Sequence, residues 1–400
     1  MACKKLNYCL CCNSKNIIKI LDLGKQPLAN SYIKNKNIKQ THYPLCVNAC
    51  IQCSHLQLTH IVDPKIIYKN YSYLSGTAAT YLSYMKNFYK ICKKYSSIKK
   101  IKNVLDIGCN DGSQLNVFKN RKIKTYGVDP AKNIFKISSK KHKVYCSFFT
   151  SKLIKNINKK FDIIISQNSF AHNPNPYNFL KNVKKLMHNK STLFIQTSQA
   201  NMCLNNEFDT IYHEHINFFN IKSMKRLTER SGLHLLDVIK KKIHGTSYIF
   251  VIKKYRKKNQ FLKKKINAEK YLNIDFYQNW SKNCFRNVKK LKALLKKIPK
   301  KYIIFGYGAA AKANTFLNFS KIKLNFIIDD NPLKQNKFTP GQNIPIYSIN
   351  KLDEFKDSEK LYVLPLAWNF FDEIKNKIKK NRNKKKDIFI KFHPKIKIVK

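Results

Sequence analysis

Acidic residues are scarce in this 400-residue chain. Only 22 Asp and Glu stand against 79 Lys and Arg, which gives a formal net charge of +57. Clustered cations would indicate nucleic-acid binding, because they neutralise phosphates. The cations are instead spread from Lys4 to Lys400 and are mostly lysine, whereas arginine suits bidentate phosphate and base contacts. We therefore attribute the charge to compositional drift and expect no specific nucleic-acid partner, although a basic surface would attract an anionic substrate.

Long apolar runs are also missing. No stretch reaches the roughly 18–20 consecutive apolar residues of a membrane-spanning helix. Residues 1–14 lack the apolar core of a secretory signal peptide. We therefore expect a cytoplasmic protein with no membrane partner. A hydrophobic fraction of 43% excludes general disorder, and 400 residues are enough for two or three domains.

The cysteines are distributed unevenly. Seven of twelve lie in the first 53 residues, namely Cys3, Cys9, Cys11, Cys12, Cys46, Cys50 and Cys53. In a cytosolic chain such a concentration favours metal binding over disulfides. Two C-x-x-C pairs, Cys9 with Cys12 and Cys50 with Cys53, predict a structural zinc site of four thiolates with no open coordination position. Two alternatives stay open: Cys11 could replace Cys12, or some cysteines could be small buried apolar residues.

The apolar pattern predicts an α/β protein. Residues 1–63 form the zinc-binding domain, with a strand-like piece at 56–62. In residues 64–252, a helix through Tyr95 precedes apolar runs that alternate with helical segments, which is typical of a parallel sheet covered by helices. Those runs are residues 104–107, 125–128, 143–146, 162–166 and 192–196, and residues 247–252 resemble a late edge strand.

A second α/β domain is predicted near the carboxyl end. Residues 253–300 are rich in lysine with apolar residues at helical spacing, and we expect one or two linking helices there. The strand–loop–helix pattern restarts with a strand at 302–305, a helix to Phe319 and a strand at 324–328. Residues 301–400 therefore read as a second α/β domain.

A glycine-rich loop follows the first strand of the central domain. Its sequence is Asp106-Ile-Gly-Cys-Asn-Asp-Gly112, and the next strand ends at Asp129. Such glycines let a ligand approach the backbone, and the acid suits two ribose hydroxyls. The full G-x-G-x-x-G and any Gly-Lys-Ser are absent, which weakens dinucleotide and triphosphate readings, while a plain turn remains an alternative. The predicted cofactor-binding residues are Asp106, Gly108, Asn110, Asp111, Gly112, Asp129 and Asn168.

These motifs, in this order, resemble the S-adenosylmethionine-dependent methyltransferases that include the sugar C-3 methyltransferases of deoxysugar pathways. The resemblance covers nearly the whole chain. Besides the cysteine pairs and the glycine loop, it rests on Leu21-Asp-Leu-Gly-Lys-Gln-Pro-Leu-Ala-Asn30, Tyr71-Ser-Tyr-Leu-Ser-Gly76, Gly127-Val-Asp-Pro-Ala131, Ala171-His172, Phe208-Asp-Thr-Ile-Tyr-His-Glu-His215, His244-Gly-Thr-Ser247, Tyr307-Gly-Ala-Ala-Ala-Lys-Ala-Asn314, Asp330-Asn-Pro332, Lys334-Gln335, Pro340-Gly341 and Ala367-Trp-Asn369.

The resemblance implies an enzyme of three parts: a zinc-binding domain, a methyltransferase domain and a C-terminal Rossmann-like domain. It implies S-adenosylmethionine and structural zinc as cofactors, and a nucleotide-sugar substrate in the cleft between the last two domains. The predicted substrate-binding residues are Tyr71, His244, Lys312, Asn314, Trp368 and Asn369. We expect a monomer or homodimer.

The chemistry of carbon methylation suggests catalytic residues. A sugar carbon becomes nucleophilic only beside a carbonyl, so a base must remove the α-proton and a donor must stabilise the enolate. His215 is the predicted base, since an ordinary imidazole pKa is about 6.5. Glu214 would stabilise the imidazolium or bind a sugar hydroxyl. Tyr212, Tyr73 and His172 would donate toward the enolate oxygen, and the matching His, Glu and Tyr of the similar enzymes line the site of proton abstraction.

Several alternatives remain at these residues. His213 and His215 have metal-ligand spacing, and the cluster could also be a structural network. His244 either contacts a phosphate or opens a turn. A pattern similar to a dinucleotide fingerprint is formed by Gly306-x-Gly308-x-x-Ala311, followed by Asp329 and Asp330, which makes bound NAD an alternative. Lys312 and the family pattern instead favour a loop that forms one wall of a nucleotide-sugar site.

Two departures from the sugar C-3 methyltransferases leave the substrate open. Those enzymes have Asp at the position of His213, and Gly at the position of Thr246. The identity of the sugar and of the methylated carbon are therefore not fixed. O- or N-methylation of a small metabolite, RNA binding or modification, and a non-catalytic remnant remain rival functions.

Overall fold

The computed structural model describes residues 2–68, 74–77, 79–197, 202–243, 245–255, 259–356, 358–382 and 387–399. Tyr71, Tyr73 and His244 lie outside these residues, and their predicted roles stay predictions.

Strands and helices alternate over most of the described chain. The strands are β1 (Cys3–Lys5), β2 (Ile17–Gln26), β3 (Tyr43–Cys50), β4 (Leu56–Leu58), β5 (His60–Val62), β6 (Asn103–Ile107), β7 (Lys124–Asp129), β8 (Lys143–Cys146), β9 (Phe161–Gln167), β10 (Met187–Thr197), β11 (Asn217–Phe218), β12 (His234–Lys241), β13 (Ser247–Lys253), β14 (Ile304–Tyr307), β15 (Ile327–Ile328), β16 (Lys337–Phe338), β17 (Pro345–Tyr347), β18 (Tyr362–Pro365), β19 (Ile388–Lys391) and β20 (Lys397–Val399). The helices are α1 (Pro64–Ile67), α2 (Ala79–Tyr95), α3 (Ser113–Lys119), α4 (Lys132–Ser138), α5 (Ser151–Asn156), α6 (Pro176–Leu186), α7 (Ile221–Arg230), α8 (Gln260–Asn267), α9 (Ile274–Lys296), α10 (Ala311–Ser320) and α11 (Phe371–Asn381).

The chain divides into two compact units. Unit 1 comprises residues 1–18, 48–200 and 216–274, and unit 2 comprises residues 19–47, 201–215 and 275–400. Two short internal segments therefore belong to the unit that holds the carboxyl end. The domain boundaries predicted at residues 63, 252 and 300 stay a prediction.

The main sheet of unit 1 has seven strands in the order β12-β13-β10-β9-β6-β7-β8. The five strands from β10 to β8 are parallel, and β12 and β13 are antiparallel. The α/β expectation is confirmed, but the prediction that residues 247–252 form an edge strand was wrong. Every residue of β13 is buried, because β12 covers its outer side, and β12 itself forms the edge.

Both faces of this sheet are covered by helices. In β9, Ile164 belongs to one apolar core, whereas Ile163 and Ile165 belong to the other, and all three are fully buried. Helix α6 contributes Phe179, Leu180 and Val183 to the first core, and helix α2 contributes Tyr84, Met85 and Phe88 to the second. Each such buried side chain stabilises the unit by roughly 1.5–3 kcal/mol.

The predicted strand at 56–62 is broken into two. β4 pairs with β11 and belongs to a sheet of order β11-β4-β3-β2, whereas β5 pairs with β1. Thr59, between them, accepts a hydrogen bond from the backbone of Leu6. The predicted strand is divided because its two halves pair with different strands. An uninterrupted apolar pattern does not reveal such pairing partners.

The lysine-rich segment forms two helices, as predicted, with α8 in unit 1 and α9 almost wholly in unit 2. The sheet of unit 2 has the order β16-β17-β15-β14-β18-β19-β20, and only its outermost strands are antiparallel. β14 begins two residues later than predicted because Tyr302 closes a turn on Pro299. Within the described ranges, no helix combines the length and apolar character that crossing a bilayer requires.

Candidate functional site

Two similar turns build the zinc site of unit 1. The backbone N–H of Asn13 donates to the carbonyl of Cys9, and that of Ser54 donates to the carbonyl of Cys50. Asn13 and Ser54, each directly after a C-x-x-C pair, have left-handed φ values of 65° and 57°. Each pair therefore folds into a tight knuckle that turns both thiols to the same side.

The four thiols of the two knuckles converge. The Sγ atoms of Cys9, Cys12, Cys50 and Cys53 all lie within 4.8 Å of one another, with Cys9–Cys53 at 3.6 Å and Cys12–Cys50 at 3.5 Å. A tetrahedral zinc with Zn–S bonds of about 2.3 Å places its sulfurs about 3.8 Å apart, so the four residues fit the ion. Cys11 is buried outside this group. Cys12, and not Cys11, therefore completes the group of four thiols.

The glycine loop of unit 1 turns sharply after β6. Gly108 has φ 78°, and its N–H donates to the carbonyl of Val128 at 2.8 Å. A Cβ at Gly108 would lie 2.5 Å from the Cβ of Ser169, so only glycine fits without displacement. The loop is thus pressed between the ends of β7 and β9.

Asp129, at the end of β7, fixes the loop. Its Oδ2 accepts from the N–H of Asn110 and its Oδ1 from the N–H of Ala131, both at 3.0 Å. Burial raises the pKa of Asp129, while the two backbone donors lower it. A carboxylate has about four acceptor positions, so both oxygens can still accept from a ligand.

A cavity of about 590 Å³ opens over this loop, within the usual range for cofactor pockets. Of the predicted residues, Gly108, Asn110, Asp129, Asn168 and His172 line it. Sequence reasoning missed several residues that line the cavity, among them Tyr68 after α1, Tyr81 in the first turn of α2, Phe148 and Phe149 after β8, and Ser169 after β9. Their positions shortly after strands, or at the end or start of a helix, could have indicated them.

Three other predicted residues lie behind the cavity wall. Asp111 Oδ2 accepts from the N–H of Gly76 at 2.7 Å, and thereby ties residues 75–76 to the loop. Gly112, with φ 80°, starts α3 against the ring of His142. Asp106 is 3% exposed, and burial together with Asp129 and Asp111 raises its pKa well above the usual range.

His172 follows β9 and lines the cavity. Its ring stacks on Tyr68 with centroids 6.2 Å apart, and burial lowers its pKa to about 4. It is therefore neutral at physiological pH and can act only as a neutral donor or acceptor.

The Tyr212–His215 cluster is in unit 2. His215 Nδ1 lies 2.7 Å from the carbonyl oxygen of Thr210, and its Nε2 lies 2.8 Å from the hydroxyl of Tyr212. A carbonyl can only accept, so Nδ1 carries a proton, and in the neutral ring Nε2 then accepts from Tyr212. His213 donates from Nε2 to the carbonyl of Tyr43, and among the described residues it joins no group with metal-ligand geometry.

Glu214 is the buried acid of this cluster. It is 6% exposed, and its Oε1 accepts from the amide of Asn30 at 2.6 Å. Burial raises its pKa to about 7, although the Asn30 donor acts in the opposite direction. The carboxyl group can therefore exchange a proton near neutral pH.

The second glycine loop, after β14, is engaged by its own unit. Asp329 Oδ2 accepts from the N–H of Ala309 at 2.7 Å and pairs with Lys334 Nζ at 3.2 Å. The carbonyl of Ala309 accepts from Lys334 and from the hydroxyl of Tyr32, at 2.9 and 2.5 Å. Asp329, the acid that would hold the ribose of NAD, is thus paired with a cation, and this pairing disfavours the NAD alternative.

The predicted substrate residues of unit 2 lie in different surroundings. Lys312 Nζ is 5.1 Å above the ring of Trp368, whose Nε1 donates to Asp209 at 2.7 Å. Asn314 is 1% exposed and donates to the carbonyl of Ala29, whereas Asn369 is exposed. Three of these four side chains are thus already engaged within unit 2.

Comparisons with known proteins match these parts in order. Residues 9–68 match a putative zinc-binding domain family, residues 81–238 a methyltransferase domain family, and residues 242–392 the C-methyltransferase C-terminal domain family. The C-methyltransferase NovU of Streptomyces niveus is 24% identical over 388 residues, which cover 93% of this chain and 92% of that protein.

Solved structures give partial matches. A methyltransferase of Clostridium acetobutylicum (13% identity, TM-score 0.35) covers 43% of this chain and 91% of its own. One of Archaeoglobus fulgidus (18% identity, TM-score 0.35) covers 43% and 94%.

The chain is an S-adenosylmethionine-dependent methyltransferase with a four-cysteine zinc-binding cluster. Its three matched parts are a zinc-binding domain, a methyltransferase domain and a C-methyltransferase C-terminal domain, in that order.

Proposed function

We propose that this enzyme methylates a carbon atom of a nucleotide-linked keto-sugar through an enolate, with His215 as the base. The similarity to NovU and the matched C-methyltransferase C-terminal domain support carbon as the acceptor. The hydrogen bonds of His215, which leave Nε2 as an unprotonated acceptor, carry the proposal.

The cofactor is proposed to bind at the glycine loop of unit 1. Bound S-adenosylmethionine supplies an electrophilic methyl group on a sulfonium. Gly108 and Asn110 would let it approach the backbone, Asp129 would accept from its ribose hydroxyls, and Asn168 would donate or accept at the cavity wall. Asp106, Asp111 and Gly112 would hold the loop in shape.

His215 is proposed to take the α-proton of the sugar on Nε2. The C–H electron pair would become that of the enolate, and the carbon would take the methyl group that bound S-adenosylmethionine supplies, with sulfur retaining the electron pair of the broken methyl–sulfur bond. The Thr210 carbonyl keeps the proton on Nδ1 and so preserves the basic nitrogen. Tyr212 would release Nε2 when its hydroxyl turns to donate to the substrate carbonyl.

Glu214 and His172 have supporting roles in this proposal. An ionised Glu214 would stabilise the imidazolium that forms on the neighbouring residue, or would accept from a sugar hydroxyl. His172, kept neutral by burial, would donate from N–H. Lys312 and Trp368 are proposed to contact the nucleotide sugar, together with Asn314 and Asn369.

The test is the variant His215→Asn, assayed with nucleoside-diphosphate 4-keto-hexoses. We expect kcat to fall by roughly 10²–10⁴-fold, and deuterium from solvent to stop entering the α-carbon, with the affinity for S-adenosylhomocysteine unchanged. His42→Asn, an exposed histidine of the same unit, is the matched control. Near-normal turnover by His215→Asn would instead support O- or N-methylation, because a heteroatom needs less help to lose its proton.

A further inference from the structure

The segment of residues 29–32 is held at both ends within unit 2. The Asn314 amide donates to the carbonyl of Ala29 at 2.7 Å, and the Tyr32 hydroxyl donates to the carbonyl of Ala309 at 2.5 Å. Lys334 Nζ also lies 5.6 Å above the Tyr32 ring. Because the backbone of Ala29 and the side chain of Tyr32 are both held, the residues between them have little freedom.

Asn30 lies between these two anchors. Its Nδ2 donates to Glu214 Oε1 at 2.6 Å, across 184 positions of sequence. Glu214 is almost wholly buried, and its Oε2 accepts no hydrogen bond from the described residues. A hydrogen bond to a carboxylate in such surroundings is strong and directional. The orientation of the carboxyl group is therefore set by one amide on a fixed segment.

We propose that Asn30 is a positioning residue for Glu214: its amide holds one carboxyl oxygen so that the other stays available to the substrate or to the His215 imidazolium. This inference rests on the proposed function of Glu214 and goes beyond it. The glycine loop of unit 2 acquires a role as well, since Ala309, on that loop, and Asn314, on the helix after it, anchor the segment that carries Asn30.

The experiment is a double-mutant cycle on the full-length enzyme. Asn30→Ala, Glu214→Gln and the double variant are compared for kcat, KM and solvent deuterium entry at the α-carbon. We expect Asn30→Ala to lower kcat by about 10- to 100-fold, as loss of a hydrogen bond to a charged group would, and to slow deuterium entry in parallel. The double variant should be no slower than Glu214→Gln, because Asn30 acts only through that residue.

Two further variants separate positioning from folding. Asn30→Asp has the same shape but loses the amide donor, so it should lose kcat as Asn30→Ala does even if the alanine variant folds poorly. Asn37→Ala removes an exposed amide seven residues along the chain and should change nothing.

The outcomes distinguish this inference from the function it rests on. Additive losses in the double variant, or normal kcat in Asn30→Asp, would overturn the role of Asn30 while leaving the enolate mechanism in place. If the wild-type enzyme binds S-adenosylhomocysteine yet methylates no keto-sugar nucleotide, the proposed function itself fails, and the inference fails with it.

Discussion

Two glycine loops in this molecule have nearly the same backbone geometry and opposite surroundings. Gly108 and Gly308 both have positive φ, and the N–H of each donates to the carbonyl of the residue that precedes an acid, Asp129 or Asp329. Each acid accepts from the N–H of the loop and from the N–H two residues further on. In unit 1 the loop opens on a cavity, whereas in unit 2 its acid is paired with Lys334.

A glycine loop followed by an acid at the end of the next strand is therefore a backbone arrangement that does not by itself identify a ligand. Among the described residues, no cation pairs with Asp129, so its carboxylate stays available to ribose hydroxyls. In unit 2, Lys334 lies five residues after Asp329, pairs with that acid and also donates to the carbonyl of Ala309. The Tyr32 hydroxyl donates to the same carbonyl. The residues that pack against the two loops therefore leave Asp129 at a cavity and pair Asp329 with a cation.

Matched substitutions of the two acids test this comparison most strongly. Asp129→Asn should weaken binding of S-adenosylhomocysteine by about 100-fold, because hydrogen bonds from ribose hydroxyls to a charged acceptor are lost. Asp329→Asn disturbs its own loop in the same way but should leave this affinity unchanged. Titration calorimetry of both variants is the measurement.

Each variant is the control for the other, since each acid accepts two backbone N–H groups. Asp329→Asn additionally removes the ion pair with Lys334, so it disturbs its loop at least as much as Asp129→Asn does. Equal losses of affinity in the two variants would mean that the effect is structural. Binding of NAD by the wild-type enzyme would contradict the interpretation of the second loop.

A smaller effect should appear in the pH dependence of stability. The pKa of Glu214 in the folded protein is about 7, raised by burial above the ordinary value of a glutamate. The folded state therefore holds this proton more tightly, so the stability it confers is complete below about pH 4.5 and is lost as pH rises through 7. Glu214→Gln should remove on the order of 2 kcal/mol of this decline between pH 5 and 8.

Denaturation by urea, followed by tryptophan fluorescence, measures this decline with reporters that lie in unit 2. Both tryptophans of the chain, Trp280 and Trp368, belong to that unit. Glu373→Gln, an exposed acid of the same unit, should leave the slope as it is in the wild type. An identical slope in Glu214→Gln would show that Glu214 is ionised throughout this range.

Much of the fold could be predicted from sequence because apolar periodicity reports local burial. The strand at 143–146 was predicted to the residue, and other strands of the central sheet were placed correctly with ends that differ by a few residues. The order of the strands in the sheet is less visible in the sequence. The edge strand β12 was not predicted, because partly exposed residues interrupt its buried ones. An alternating pattern of that kind is weak in a chain so rich in lysine.

Contacts between distant segments were the part that sequence could not supply. The zinc ligands could be predicted because their spacing is local and chemically specific. The pairing of Asn30 with Glu214 spans 184 positions and involves residue types that occur everywhere in polar loops. Lys334 beside Asp329 was close enough in sequence to be suspected, but charge pairing alone does not indicate that a loop is occupied.

The most direct measurement follows the methyl group itself. The enzyme is incubated with S-adenosylmethionine that carries ¹³C in its methyl group and with a panel of nucleoside-diphosphate keto-sugars, and the product is examined by NMR. An enolate mechanism requires the labelled methyl to be bonded to a ring carbon adjacent to the carbonyl. A label attached to oxygen or nitrogen would contradict it.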